Sequence, residues 1–116
     1  MHEFSICQSL LRQVDQIATE HHATTIDKIH LQVGPLSGVE PALLQSAFQI
    51  ARANTLARTA DMIIQATPIK VRCKNCGAMS EAKLNNLACR ACGDWQTELL
   101  SGDELFIERI EMQTPQ

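Results

Sequence analysis

The sequence predicts an α+β fold: two helices on a small three-stranded sheet, with a cysteine-rich module inserted before the last strand. Three observations predict it. Two stretches repeat apolar residues every three to four positions, the period of a helix with one buried face. Three others alternate or cluster β-branched residues in the manner of strands. Between the second and third of these lie two Cys-x-x-Cys pairs, Cys73/Cys76 and Cys89/Cys92.

The first helix is expected from Ser5 to about His21. Cys7, Leu10, Leu11, Val14, Ile17 and Ala18 form its apolar stripe, and Gln8, Arg12, Asp15 and Gln16 its outer side. Glu3 and Ser5 suit a helix start, where acids and hydroxyls satisfy free N–H groups. His21 and His22 fall in the last turn, where cations suit the dipole. Cys7 lies on the stripe and reads as a core thiol. The segment 26–33 alternates Ile29, Leu31 and Val33 with Lys28, His30 and Gln32, a half-buried strand with His30 outward. Gly34-Pro35-Leu36-Ser37-Gly38 is a loop. Ser37 and Glu40 have the spacing of a capping box, and Pro41 fits a first helical turn. The second helix then runs from about Glu40 to Ala53, with Leu43, Leu44, Ala47, Phe48 and Ala51 inward. A strand over 61–71, bent at Pro68, leads straight into Cys73. The last strand, 104–112, changes phase between Ile107 and Ile110, which a bulge near Glu108 accounts for.

The cysteines carry the strongest chemistry. Each pair is followed by glycine, Gly77 and Gly93, and twelve residues separate Cys76 from Cys89. Thiolates at i and i+3 on a tight turn supply two corners of a tetrahedron, and zinc favours four such soft ligands. A glycine with φ > 0 lets backbone N–H groups point at the sulfurs. Two disulfides are the competing reading. The odd count of five cysteines and the absence of a secretory leader argue against it. The expectation is a four-cysteine zinc ribbon at residues 71–101, splitting an α/β domain at 1–70 and 102–116. With all ligands from the protein, its Zn(II) is structural rather than catalytic.

At 116 residues the chain has room for one such domain and its module. The formal charge is −3, the basic residues gather near the cysteines, and rings are limited to Phe4, Phe48, Phe106 and Trp95. That balance disfavours nucleic acid as the partner. No apolar run reaches membrane-spanning length, so no membrane is expected, and a reducing cytoplasmic location is. No catalytic grouping stands out, and no enzymatic activity is expected.

The chain opens Met1-His2-Glu3. The free amine of Met1, the imidazole and backbone N of His2 and the backbone N of Glu3 make a nearly planar four-nitrogen set. Nickel(II) and copper(II) prefer such a set; zinc does not. A frayed terminus is the bland alternative. The Met-His-Glu-Phe-Ser start, the Gly-Pro-Leu-Ser-Gly-Val-Glu loop, the two Cys pairs and the Gly-Asp-Glu-Leu-Phe-Ile-Glu-Arg-Ile-Glu tail together resemble the HypA/HybF family, over the whole chain. These are nickel metallochaperones of [NiFe]-hydrogenase maturation, in some organisms also of urease. The resemblance implies that His2 is a nickel ligand, with Met1 and Glu3 contributing nitrogens. It implies zinc at Cys73, Cys76, Cys89 and Cys92. Glu3 matches a residue implicated in delivery and in contact with a HypB-type GTPase. Glu40 matches an acid near the nickel in some members. The expected cofactors are transient Ni(II) and structural Zn(II). The expected partners are that GTPase and the hydrogenase large-subunit precursor, with a homodimer left open. A zinc-ribbon module for nucleic acid is the alternative; it leaves the N-terminal triplet unexplained.

Overall fold

In a computed structural model the elements run α1 (His2–Glu20), β1 (Thr25–Val33), α2 (Pro41–Ala51), β2 (Asp61–Ala66), β3 (Lys70–Cys73), β4 (Met79–Glu81), β5 (Thr97–Ser101) and β6 (Leu105–Gln113). The structure describes residues 2–115. The strands form two three-stranded sheets, ordered β2-β1-β6 and β4-β3-β5. The chain divides into two compact units by contact density: 1–31, 39–65 and 106–116 in one, 32–38 and 66–105 in the other.

The first unit carries the helices. Cys7, Leu10, Leu11, Val14 and Ala18 of α1 are buried with Leu44, Ala47 and Phe48 of α2 and with Ile26, Ile29 and Leu31 of β1. The stripe therefore faces inward as its period requires, except that Ile17 is half-buried. α1 starts three residues earlier than expected, at His2, because Glu3 and Ser5 sit inside its first turn rather than before it. Its far end follows a Schellman turn. His22 adopts φ 58°. The Ala23 N–H reaches the Ala18 carbonyl at 2.9 Å and the His22 N–H that of Thr19 at 3.0 Å. His21 Nδ1 donates to the Ile17 carbonyl at 2.9 Å, so this histidine satisfies the helix end as expected.

The start of α2 differs from expectation. Its N-cap is Glu40, with Pro41 in the first turn and no side-chain cap hydrogen bond, so the Ser37–Glu40 capping box does not form. The helix also stops at Ala51, and Leu43 is 55 % exposed rather than inward. Leu44 already fills the inward position beside it. After the helix, Arg52 lies over the Phe48 ring and donates to the Ala60 carbonyl at 2.7 Å. That bond closes the 54–60 connection, whose Ala57 and Ala60 are fully buried core residues. Composition gave no sign of them, because an alanine in a turn carries no periodicity.

His30 is not an ordinary surface residue. Its side chain is only 12 % exposed, and its Nε2 lies 2.6 Å from Glu111 Oε2 of β6. Strand alternation put it on the polar face; only the β1–β6 neighbourhood supplies the carboxylate. β6 shows the expected phase change as two successive exposed residues, Glu108 and Arg109.

The second unit holds the other sheet. The single strand expected over 61–71 is two strands in two sheets, broken where Pro68 lacks an N–H to donate. β3 is central, with Lys70 to Cys73 paired to β5 and Lys70 to Arg72 paired to β4. The segment between the Cys pairs is thus not a self-contained two-stranded ribbon. It contributes β4 to β3 and closes through a Lys83–Asn86 bridge. β5 had no sequence signal, since Thr97–Ser101 is short and mostly exposed.

Candidate metal centres

The two Cys pairs form matching knuckles. In the first, the Asn75 and Cys76 N–H groups point at Cys73 Sγ at 3.3 and 3.4 Å, and the Gly77 N–H closes on the Cys73 carbonyl at 3.0 Å. In the second, Ala91 and Cys92 point at Cys89 Sγ at 3.3 and 3.5 Å, and Gly93 closes on the Cys89 carbonyl at 2.9 Å. Gly77 and Gly93 take φ of 76° and 81°. A side chain there would be strained, which is why glycine follows each pair.

The knuckles bring all four sulfurs within 4.8 Å of one another. Cys73–Cys92 and Cys76–Cys89 are each 3.6 Å apart, too long for a disulfide. A Zn–S bond of about 2.3 Å implies tetrahedral S–S edges of about 3.8 Å, so the donor set and its spacing fit zinc. Cys73 and Cys89 are buried, while Cys76 and Cys92 are exposed. The Cys92 N–H, with that of Ala91, draws the Cys89 thiol down to about 6. The Cys76 N–H, with that of Asn75, lowers Cys73 too. Cys76 accepts from Ala78, which lowers it, yet the neighbouring Cys89 sulfur, with some loss of solvent, lifts it to about 11. The backbone is thus arranged to hold anionic sulfur, and the sulfurs repel one another until a cation joins them.

Cys7 takes no part. It is fully buried in the helical core, and burial pushes its thiol up to about 11. It is the inert core cysteine its place on the stripe predicts.

At the other end, Met1 lies outside the described residues. His2 is exposed and opens α1. The first amides of a helix have no carbonyl partner within it, so backbone nitrogens here are not committed to the helix ladder. Glu3 is half-buried, and its Oε2 accepts from the Glu40 N–H at 3.3 Å. Its own N–H and that of Glu40 hold its carboxyl below the usual range. The start of α2 is therefore met by a carboxylate from α1, a contact that no local pattern foretold. Among the described residues, the four cysteines are the one group of three or more metal-capable side chains; His2, Glu3 and Glu40 form no such cluster. A site made mostly of backbone nitrogen would leave none to see.

The similarity to known proteins runs along nearly the whole chain. A family model described as hydrogenase/urease nickel incorporation, metallochaperone, hypA matches residues 1–112. The chain is 46 % identical over 114 residues to the hydrogenase maturation factor HypA of Nitrosospira multiformis, covering 98 % of this chain and 99 % of that one. It is 39 % identical over 113 residues to the factor of the same name from Aquifex aeolicus, covering 97 % and 98 %. The fold matches the solution structure of the Ni metallochaperone HypA from Helicobacter pylori, with a TM-score of 0.70 at 23 % identity over 97 % of this chain and 98 % of that one. Similarity along nearly the whole length, with a cysteine quartet spaced for zinc, leads to one assignment: the chain belongs to the HypA family, whose members are nickel metallochaperones and not enzymes.

Proposed function

We propose that the protein binds Ni(II) at its N-terminus and delivers it during [NiFe]-hydrogenase maturation. The nickel ligands are the Met1 amine, the His2 imidazole and the backbone nitrogens of His2 and Glu3. Zinc held by Cys73, Cys76, Cys89 and Cys92 has a structural role. Nickel handling belongs to residues 1–70 and 102–116, and zinc to 71–101. The receiving partners are a HypB-type GTPase and the hydrogenase large-subunit precursor, in the cytoplasm. The observation that carries this reading is the family match over residues 1–112, which includes Met1-His2-Glu3.

The chemistry supports it. A delivery site must be selective yet open to takeover. Ligands at an exposed helix start meet both needs, since a partner can replace them one at a time. Planar nitrogen coordination favours nickel over zinc, and four thiolates favour zinc. Nickel binding displaces protons from the amine and amides, so uptake weakens as pH falls.

The test compares the free chain with one whose leading amine is acetylated and with His2→Ala. Calorimetry of the zinc-loaded forms should show nickel affinity reduced roughly a hundredfold or more, since even outer-shell changes cost 10–100-fold. Zinc content and helical circular dichroism should stay unchanged. Nickel binding of native strength in the acetylated chain would sink the reading.

A further inference from the structure

The four sulfurs of the cysteine centre are unequally placed. Cys73 and Cys89 are buried, and each accepts two backbone N–H groups from its own knuckle, whereas Cys76 and Cys92 are exposed. Two close sulfur contacts run between the knuckles: Cys92 Sγ lies 3.6 Å from Cys73 Sγ, and Cys76 Sγ lies 3.6 Å from Cys89 Sγ. Each contact therefore joins an exposed sulfur to a buried one. The frame around them has its own backbone support. The Cys73 N–H bonds the Ala78 carbonyl and the Cys89 N–H the Asp94 carbonyl, both at 2.9 Å, so each knuckle closes on itself. Cys73 also pairs with Thr97 across β3 and β5, which ties the first knuckle to the strand that follows the second.

We propose that the cysteine centre is a reversible oxidation site for hydrogen peroxide, which converts it to two disulfides, Cys73–Cys92 and Cys76–Cys89, and releases zinc. The inference rests on the zinc reading above and not on nickel delivery. An exposed thiolate, Cys76 or Cys92, attacks one oxygen of the peroxide. The O–O bond breaks, hydroxide leaves and the sulfur becomes a sulfenic acid. The buried thiolate across the contact then attacks that sulfur. An S–S bond forms, the S–O bond breaks and a second hydroxide leaves. Each pair gives two electrons to one peroxide, so the whole centre consumes two. Zinc is held by thiolate, and a disulfide sulfur is no longer one, so the ion loses its ligands. Exposure decides where the oxidant strikes, since reactivity follows thiolate character and access. Proximity decides what comes next. Closing 3.6 Å to a bond of about 2.05 Å takes a shift of about 1.5 Å in an exposed knuckle, which favours the disulfide over further oxidation to a sulfinic acid. A dithiol reductant reverses both bonds by exchange and returns the ligands to zinc. Cys7 is fully buried and out of an oxidant's reach.

The experiment treats the full zinc-loaded chain with hydrogen peroxide in small molar excess. Released zinc is followed with a colorimetric chelator, free thiols are alkylated, and disulfides are mapped by mass spectrometry after trypsin. Trypsin suits the chain, because cleavage after Arg72, Lys74, Lys83 and Arg90 puts the four cysteines on four different peptides. About two peroxides should be consumed per zinc released. The map should join the Cys73 peptide to that of Cys92, and the Cys76 peptide to that of Cys89. Cys7 should be alkylated only after unfolding. Dithiothreitol followed by added zinc should restore the zinc content. Zinc retained under prolonged peroxide excess overturns the proposal. So do pairs formed within a knuckle, Cys73–Cys76 and Cys89–Cys92, and so do sulfinic acids in place of disulfides. A reduced chain that takes up no zinc would instead remove the zinc reading, and the same two cross-knuckle pairs on its map would leave the oxidation site standing.

Discussion

Glu111 and His30 show what a single pair of side chains does to stability. The His30 Nε2 hydrogen bond, with Lys28 and Arg109 nearby, holds the Glu111 carboxyl below its ordinary value. Glu3 is lowered as well, by backbone N–H donors. The sign follows directly. A carboxylate whose folded pKa is depressed stabilises the fold above its unfolded pKa, and that stability is lost as pH falls through the folded value. Urea midpoints should therefore hold steady near neutrality and fall below about pH 4.5. Glu111→Gln should flatten that acid limb while changing the midpoint little at the acidic end. An unaltered acid limb in the variant would show that the pair carries none of it. His30 also marks where reading residues one at a time fails. Its position in an alternating strand fixes which face it occupies. The carboxylate that shields it lies 81 positions further along.

Elements were easier to read than their ends. The α1 stripe was legible because one buried face imposes a period of 3.6, and period survives in sequence. Its termini depend on caps, which are single-residue events. The helix end is held by His22 at positive φ, a conformation that costs a non-glycine residue roughly 1–2 kcal/mol. His22→Gly should raise stability by about 1 kcal/mol in thermal or urea melts, because glycine is the residue a Schellman turn favours. A lower melting temperature would mean that the His22 side chain does more than occupy the turn. At the cysteine module, both knuckles were legible and β5 was not. A knuckle is a fixed local chemistry of Cys, turn and Gly. An edge strand of five residues exists only because β3 offers it a partner. Cys73→Ala should release zinc and unravel β3–β5. The helical signal near 222 nm should largely remain, since the helices lie in the other unit. Loss of that signal too would show that the two units fold as one.

Across the whole molecule, the 34–38 loop is fixed by residues far along the chain. The Gly34 N–H reaches the Glu104 carbonyl and the Leu36 N–H that of Gly102, both at 2.7 Å. A Cβ on Gly34 would stand 2.1 Å from the Gly102 carbonyl oxygen, and a backbone atom cannot swing aside. Gly34→Ala should destabilise the fold by roughly 3 kcal/mol or more, read from denaturant melts. Gly38→Ala offers a contrast, since its Cβ would meet nothing within 4 Å and only its φ of 81° resists. Equal effects would mean that the close approach is unimportant. The sequence by itself determined the helical stripes and the two knuckles, because each is a property of neighbours within a few residues. The tertiary structure alone decided that one apparent strand serves two sheets, that Glu3 meets the first amide of the second helix, and that Leu43 of that helix stays in the open. Those depend on which distant segments come to lie together, and a local pattern of residues holds no record of its future neighbours.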